Sequence, residues 1–115
     1  MIASELKVYR DTYDLVNKVM DIQIKFPRMY KFTLGQKMMN VSLDLFEYIQ
    51  FANMSKESRT KYLTGFTVKF ELLKTLVRIS ADKRLINLKQ QADIARMTNS
   101  IGKQVSAWKN ASIYR

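Results

Sequence analysis

The 115-residue chain has no cysteine and no histidine, only one proline and only three glycines. Without cysteine it can form no disulfide and offer no thiol nucleophile. Without histidine it lacks an imidazole base, and with both residues missing the usual zinc ligands are gone. Its serines have no histidine to activate them. No catalytic residue, metal or cofactor is therefore expected. The absence of cysteine fits a cytoplasmic setting. No uninterrupted apolar run approaches the ~20 residues of a membrane span, and Met1-Ile2-Ala3-Ser4-Glu5-Leu6-Lys7 has no basic region leading into an apolar run, so neither a membrane partner nor a signal peptide is expected. Strand-type alternation, a glycine-rich loop, internal repeats and low-complexity segments are also missing.

What is present is a core and a charge. Hydrophobic residues make up 47% of the chain, enough for one domain over residues 1–115. The net charge is +10, and it is unevenly placed. Residues 1–54 hold seven basic and six acidic groups, whereas residues 55–115 hold thirteen basic and four acidic groups, a net of +9. Such an excess attracts polyanions at the expense of self-repulsion in the fold; the competing reading is a solvated surface that keeps the protein soluble.

The chain is organised around Phe26-Pro27-Arg28-Met29-Tyr30-Lys31-Phe32-Thr33-Leu34-Gly35-Gln36. Pro27 is expected to end a helix near Lys25. Thr33 and Gln36 have the spacing of a capping box that would start the next helix at Leu34, with Phe32 as its hydrophobic staple. Apolar residues at spacings of three and four predict four helices, over about 4–25, 34–53, 56–81 and 83–110. Ser55 can cap the third and Asp82 the fourth, and Asp14 and Lys18 are spaced as an i,i+4 pair. Short links between helices of similar length give an all-α, up-down-up-down antiparallel four-helix bundle. The second segment carries more apolar surface than one bundle needs, which points to a subunit interface. In the fourth, Ile94, Ile101, Val105 and Trp108 share a core face. A stripe of Ala92, Ala95, Asn99, Gly102 and Ser106 fits either bundle packing or a subunit contact. Gly65 is expected to weaken its helix slightly, the methionines to fill core gaps, and residues 111–115 to fray.

The carboxylate pairs Asp11/Asp14 and Asp44/Glu47 could hold a metal only with histidine partners the chain does not have, so they read as solvated helix faces. The stronger pattern is basic. Lys89, Arg96 and Lys103 recur every seven residues and line about 21 Å of one helix face. Lys74 and Arg78 form a second basic pair, and Lys83 and Arg84 lie in the turn between. Cations spaced along rigid helices can meet successive phosphates and release counterions. Asp93, within a turn of Lys89 and Arg96, is expected to neutralise the stripe in part.

The stretch from Phe26 to Gln36, together with Ala95-Arg96-Met97, Ile101-Gly102-Lys103-Gln104-Val105 and Trp108-Lys109, resembles the accessory variability determinant (Avd) proteins of diversity-generating retroelements. These sit within a wider four-helix-bundle family that includes proteins encoded in intervening sequences of ribosomal RNA. The Ile-Gly-x-Gln and Trp-Lys elements favour the Avd branch. The Asn-Ile-Ala-Glu-Gly motif of the other branch is absent, Val41-Ser42-Leu43-Asp44-Leu45 standing in its place. The resemblance implies a homopentamer with a basic surface. It implies a non-catalytic role beside a reverse transcriptase, binding the polymerase and RNA or DNA, to support mutagenic complementary-DNA synthesis and retrohoming. It transfers no catalytic residue, so Lys74, Arg78, Lys83, Arg84, Lys89, Arg96 and Lys103 stand as nucleic-acid-binding candidates on the helix-face reading alone. The alternative is a protein-interaction or ribosome-associated bundle with no retroelement role.

Overall fold

The structure, a computed structural model, describes residues 2–113 and is all-α over them. A 3₁₀ turn over Ala3–Glu5 precedes helix α1, Lys7–Gln23. Arg28–Tyr30, Lys31–Gly35 and Gln36–Met54 run on as one helix, α2, whose second piece is π-helical. Helix α3 spans Arg59–Asp82 and α4 spans Leu88–Ile113. Lys18 reaches Asp93 (3.4 Å) and Gln104 reaches Asp11 (2.7 Å), so α1 and α4 lie side by side in opposite directions. Lys69–Asp44 (3.1 Å) and the Ser80 hydroxyl on the Met38 sulfur (3.3 Å) set the same relation between α3 and α2. Tyr9 packs on Phe46 across α1 and α2, and Arg59 lies over Trp108 across α3 and α4.

One hydrophobic cluster joins all four helices. It takes Leu15 and Val19 from α1, Met38, Val41, Leu45 and Ile49 from α2, Leu63, Phe66 and Leu73 from α3, and Ile94, Ile101 and Val105 from α4. In α1 the line Val8, Thr12, Leu15, Val19 and Ile22 is buried, while the adjacent line Leu6, Tyr9, Tyr13, Val16 and Met20 is mixed, with Val16 buried and Tyr13 exposed. The methionines depart from the core reading: Met38 is fully buried, but Met29 and Met54 stand in solvent. Gly65 is structural rather than a weak point, because a Cβ there would run into the Tyr48 ring.

The links differ from the expected ones. Helix α2 starts at Arg28, not Leu34. The Pro27 carbonyl accepts from the Tyr30 and Lys31 amides (2.9 and 2.8 Å), so the proline opens a helix as well as closing one. Thr33 cannot cap, because its hydroxyl donates back to the Met29 carbonyl (2.7 Å) inside the helix. Phe32 is no staple; it is 62% exposed. Ser55 does not cap α3 itself: its hydroxyl accepts from the Ser58 amide (3.2 Å) in the preceding turn, and the helix begins at Arg59 with Ser58 at its N-cap and no side-chain cap bond. Asp82 belongs to the end of α3 and does not start α4.

Beyond Asp82 the Leu85 amide donates to the Ser80 carbonyl and the Arg84 amide to the Ala81 carbonyl, both at 2.9 Å. This is a Schellman turn with Arg84 at φ 59°, where glycine is usual. The true start of α4 is a capping box from Asn87 to Gln90: the Gln90 amide donates to the Asn87 side chain (2.8 Å) and the Asn87 amide to the Gln90 side chain (2.9 Å). The Asp14–Lys18 pair does not form; Lys18 turns to Asp93, and Lys7 pairs with Asp11 (2.6 Å). Helix α4 holds through Ile113 where fraying was expected from Ala111; Tyr114 and Arg115 lie outside the described residues.

Candidate nucleic-acid interface

The seven candidate cations sit on α3, α4 and the turn between them, but they do not form one stripe. Lys74 and Arg78, one turn apart on α3, border the groove where α3 meets α4. Lys103 borders the same groove further along, in a depression of about 590 Å³ that it shares with Lys74, Asn99, Gly102 and Ser106. The small residues of α4 are thus open to solvent in the single chain, and they keep this groove shallow enough to admit a chain from outside. Lys74 is partly engaged: its ammonium pairs with Glu71 (2.7 Å) and lies 5.4 Å from the centre of the Phe70 ring.

Lys89 and Arg96 lean the other way, toward α1. Asp93 binds Arg96 (3.0 Å), Lys18 (3.4 Å) and Lys89 (3.5 Å), so one carboxylate neutralises most of that end of the heptad line. The Arg96 hydrogen bond, reinforced by Lys89 and Lys18, holds the Asp93 carboxyl below its ordinary range against the opposing effect of burial. Asp11, on the same seam, is lowered chiefly by its hydrogen bond from Lys7 and further by Gln104, again against desolvation. It is therefore engaged by a cation and an amide rather than paired with Asp14.

Among the described residues, Arg78, Lys83, Arg84 and Lys103 form no ion pair. Lys83 and Arg84 close α3, where a cation also complements the negative end of the helix dipole. The Schellman turn holds the Arg84 side chain outward at a backbone geometry that costs a non-glycine residue about 1 kcal/mol.

Sequence reasoning missed the cations of the first half that lie at this same end. Residues 22–43 contain Lys25, Arg28, Lys31 and Lys37 and no acidic group. A near-neutral total for residues 1–54 hid them. The antiparallel registers of α2 on α3 and of α1 on α4 bring Lys25, Arg28 and Lys31 to the end of the bundle that holds Lys83, Arg84 and Lys89. A local charge count over the proline link would have found them.

Trp108 is only half-buried. It borders a depression with Leu6, Val8 and Gln104, and the Arg59 guanidinium lies 5.5 Å from its ring. Arg59 also donates to the Ala52 and Asn53 carbonyls (2.7 and 3.3 Å), capping the end of α2 while it stacks on α4. The indole and this arginine tie three helices together at the end of the bundle away from Pro27.

Fold and site together define a small helical bundle whose second half presents unpaired cations on rigid helices. A family model described as bAvd-like matches residues 6–112, and the chain belongs to that family. Among curated proteins no match is found. No helix among the described residues is long and apolar enough to cross a membrane.

Proposed function

We propose that this protein is the non-catalytic accessory factor of a diversity-generating retroelement, an up-down-up-down four-helix bundle that binds nucleic acid and a reverse transcriptase during mutagenic complementary-DNA synthesis. Family membership supports the accessory role. The observation that carries the nucleic-acid part is the set of unpaired cations Arg78, Lys83, Arg84 and Lys103, joined by Lys74, on a half-chain of net +9. Lys89 and Arg96 contribute through exposed side chains that must first leave Asp93.

The protein works as an oligomer, a pentamer on the family resemblance. The exposed apolar residues Tyr13, Leu43 and Phe51 on α1 and α2, with Val68 and Leu88 on α3 and α4, support a protein contact. Anisotropy titrations of a labelled RNA test the binding. Affinity should fall with salt at a log–log slope of roughly −0.7 to −0.9 per phosphate contact, and a salt-independent affinity refutes the reading. Light scattering after size exclusion tests the assembly; a 13.5 kDa monomer at micromolar concentration refutes it. Co-purification with the reverse transcriptase of its own retroelement tests the partner.

A further inference from the structure

We propose that the Pro27 end of the bundle holds unpaired nucleotides of a single-stranded nucleic acid, a base stacking on the exposed Phe32 ring while Lys31, Lys83 and Arg84 hold the backbone. This rests on the polyanion-binding reading above and adds to it the form of nucleic acid and the group that reads it.

Phe32 is 62% exposed and Met29, one turn before it, is 73% exposed, whereas Tyr30 and Leu34 on the same helix pack against the core. The exposed pair flanks the start of a π-helical turn over Lys31–Gly35. Such turns add a residue to a helical circuit and recur at functional positions. Among the described residues no other ring touches Phe32; its one aromatic-type contact is the Lys31 ammonium, 5.8 Å from the ring centre. A flat apolar face with a cation at its side and nothing stacked on it has the form of a base-stacking platform.

The charge around it is one-sided. Among the described residues Lys25, Arg28, Lys31, Lys83 and Arg84 form no ion pair. The contacts Lys69–Asp44 and Ser80–Met38 fix how α3 runs along α2. Continuing that antiparallel register outward brings Lys83 and Arg84 level with residues 29–35. Arg84 is kept there by the left-handed turn at φ 59°. The cations outnumber Asp21 and Asp82, the acids at this end, and the unstacked ring beside them fits the bases of a polyanion. A duplex keeps its base faces stacked inside, so the open ring selects unpaired nucleotides.

Anisotropy titrations would compare a single-stranded RNA carrying 2-aminopurine with a hairpin duplex of the same length. The parent should prefer the single strand and change the 2-aminopurine emission on binding. Phe32→Ala should lose about tenfold for the single strand, leave duplex binding and circular dichroism unchanged, and abolish the emission change; Phe32→Trp should restore both signals. Lys83→Gln with Arg84→Gln should weaken both ligands and flatten the salt dependence. If Phe32→Ala binds both ligands as the parent does, with salt dependence intact, the stacking inference is overturned and the polyanion reading stands. A parent that binds neither ligand at low salt overturns both. If Phe32→Ala leaves RNA binding unchanged but loses the co-purifying reverse transcriptase, the patch belongs to a protein and the inference is also overturned.

Discussion

On the proposed nucleic-acid reading Asp93 restrains the basic half, and removing its charge should strengthen binding. Its carboxylate holds Arg96, Lys18 and Lys89 at 3.0, 3.4 and 3.5 Å, and each must leave it to meet a phosphate. Asp93→Asn keeps the shape and adds one positive charge to a chain of net +10. It frees up to three cations, two of them on the α4 line. Each further phosphate contact steepens the log–log salt slope by roughly 0.7–0.9, which is about threefold in affinity between about 50 and 200 mM salt. One to three freed contacts should therefore make the variant's loss over that interval about three- to thirtyfold larger than the parent's, starting from tighter binding at low salt. Asp44→Asn is the control. It makes the same charge change and frees Lys69 on another face. Anisotropy titrations of one labelled RNA at four salt concentrations decide the matter. If Asp93→Asn matches the parent, the line Lys89, Arg96 and Lys103 is only solvated surface. If it merely matches Asp44→Asn, net charge rather than position explains the gain.

Three further outcomes follow from the packing. Gly65→Ala should destabilise by ~1–2 kcal/mol in chemical denaturation despite alanine's better helix propensity, because the new methyl meets the Tyr48 ring, and Tyr48→Ala in the same chain should recover part of the loss. Thr12→Val should stabilise by about 1 kcal/mol, since the Thr12 hydroxyl is fully buried and has no hydrogen-bond partner among the described residues; an unchanged or lower melting temperature would show that the hydroxyl is satisfied in solution. Acid should loosen the α1–α4 seam: Asp11 and Asp93 titrate below their ordinary 3.8 in the fold, so the stability they supply is whole above that pH and is lost as pH falls through the lowered values. Melting followed by circular dichroism should be level down to about pH 5 and drop below about pH 4, and the drop should shrink in Asp11→Asn with Asp93→Asn.

Trp108 shows how far periodicity alone can be trusted. Its spacing from Ile94, Ile101 and Val105 places it on the core face, yet it lies near the open end of the bundle, half-covered and held by Arg59. A fully buried aromatic costs ~3–5 kcal/mol on truncation to alanine. The loss at Trp108 should be smaller than at Phe66, which is completely buried.

The sequence by itself determined the four helices, most of their inward faces and the concentration of charge in the second half. Helical spacing of apolar residues is a local property, and Met38, Val41, Leu45, Phe66, Phe70 and Leu73 express it without help from the rest of the chain. The Asn87–Gln90 capping box is also present in the sequence, but Asp82, an equally good capping residue, lies five positions earlier and local pattern does not choose between them. Only the tertiary structure decided which charges meet. That Lys18 crosses to Asp93, that Arg59 joins α2 to Trp108, and that Lys25, Arg28 and Lys31 reach the end held by Lys83 and Arg84 all depend on the order in which helices pack. The same holds for Phe32: its place beside a proline and a threonine reads as a buried staple. In the structure it stands exposed, within a π-helical turn whose Gly35 is pressed close to Gln23. Side-chain periodicity is set by the local backbone, whereas electrostatic partners and exposed faces are set by distances between segments that lie far apart in the chain.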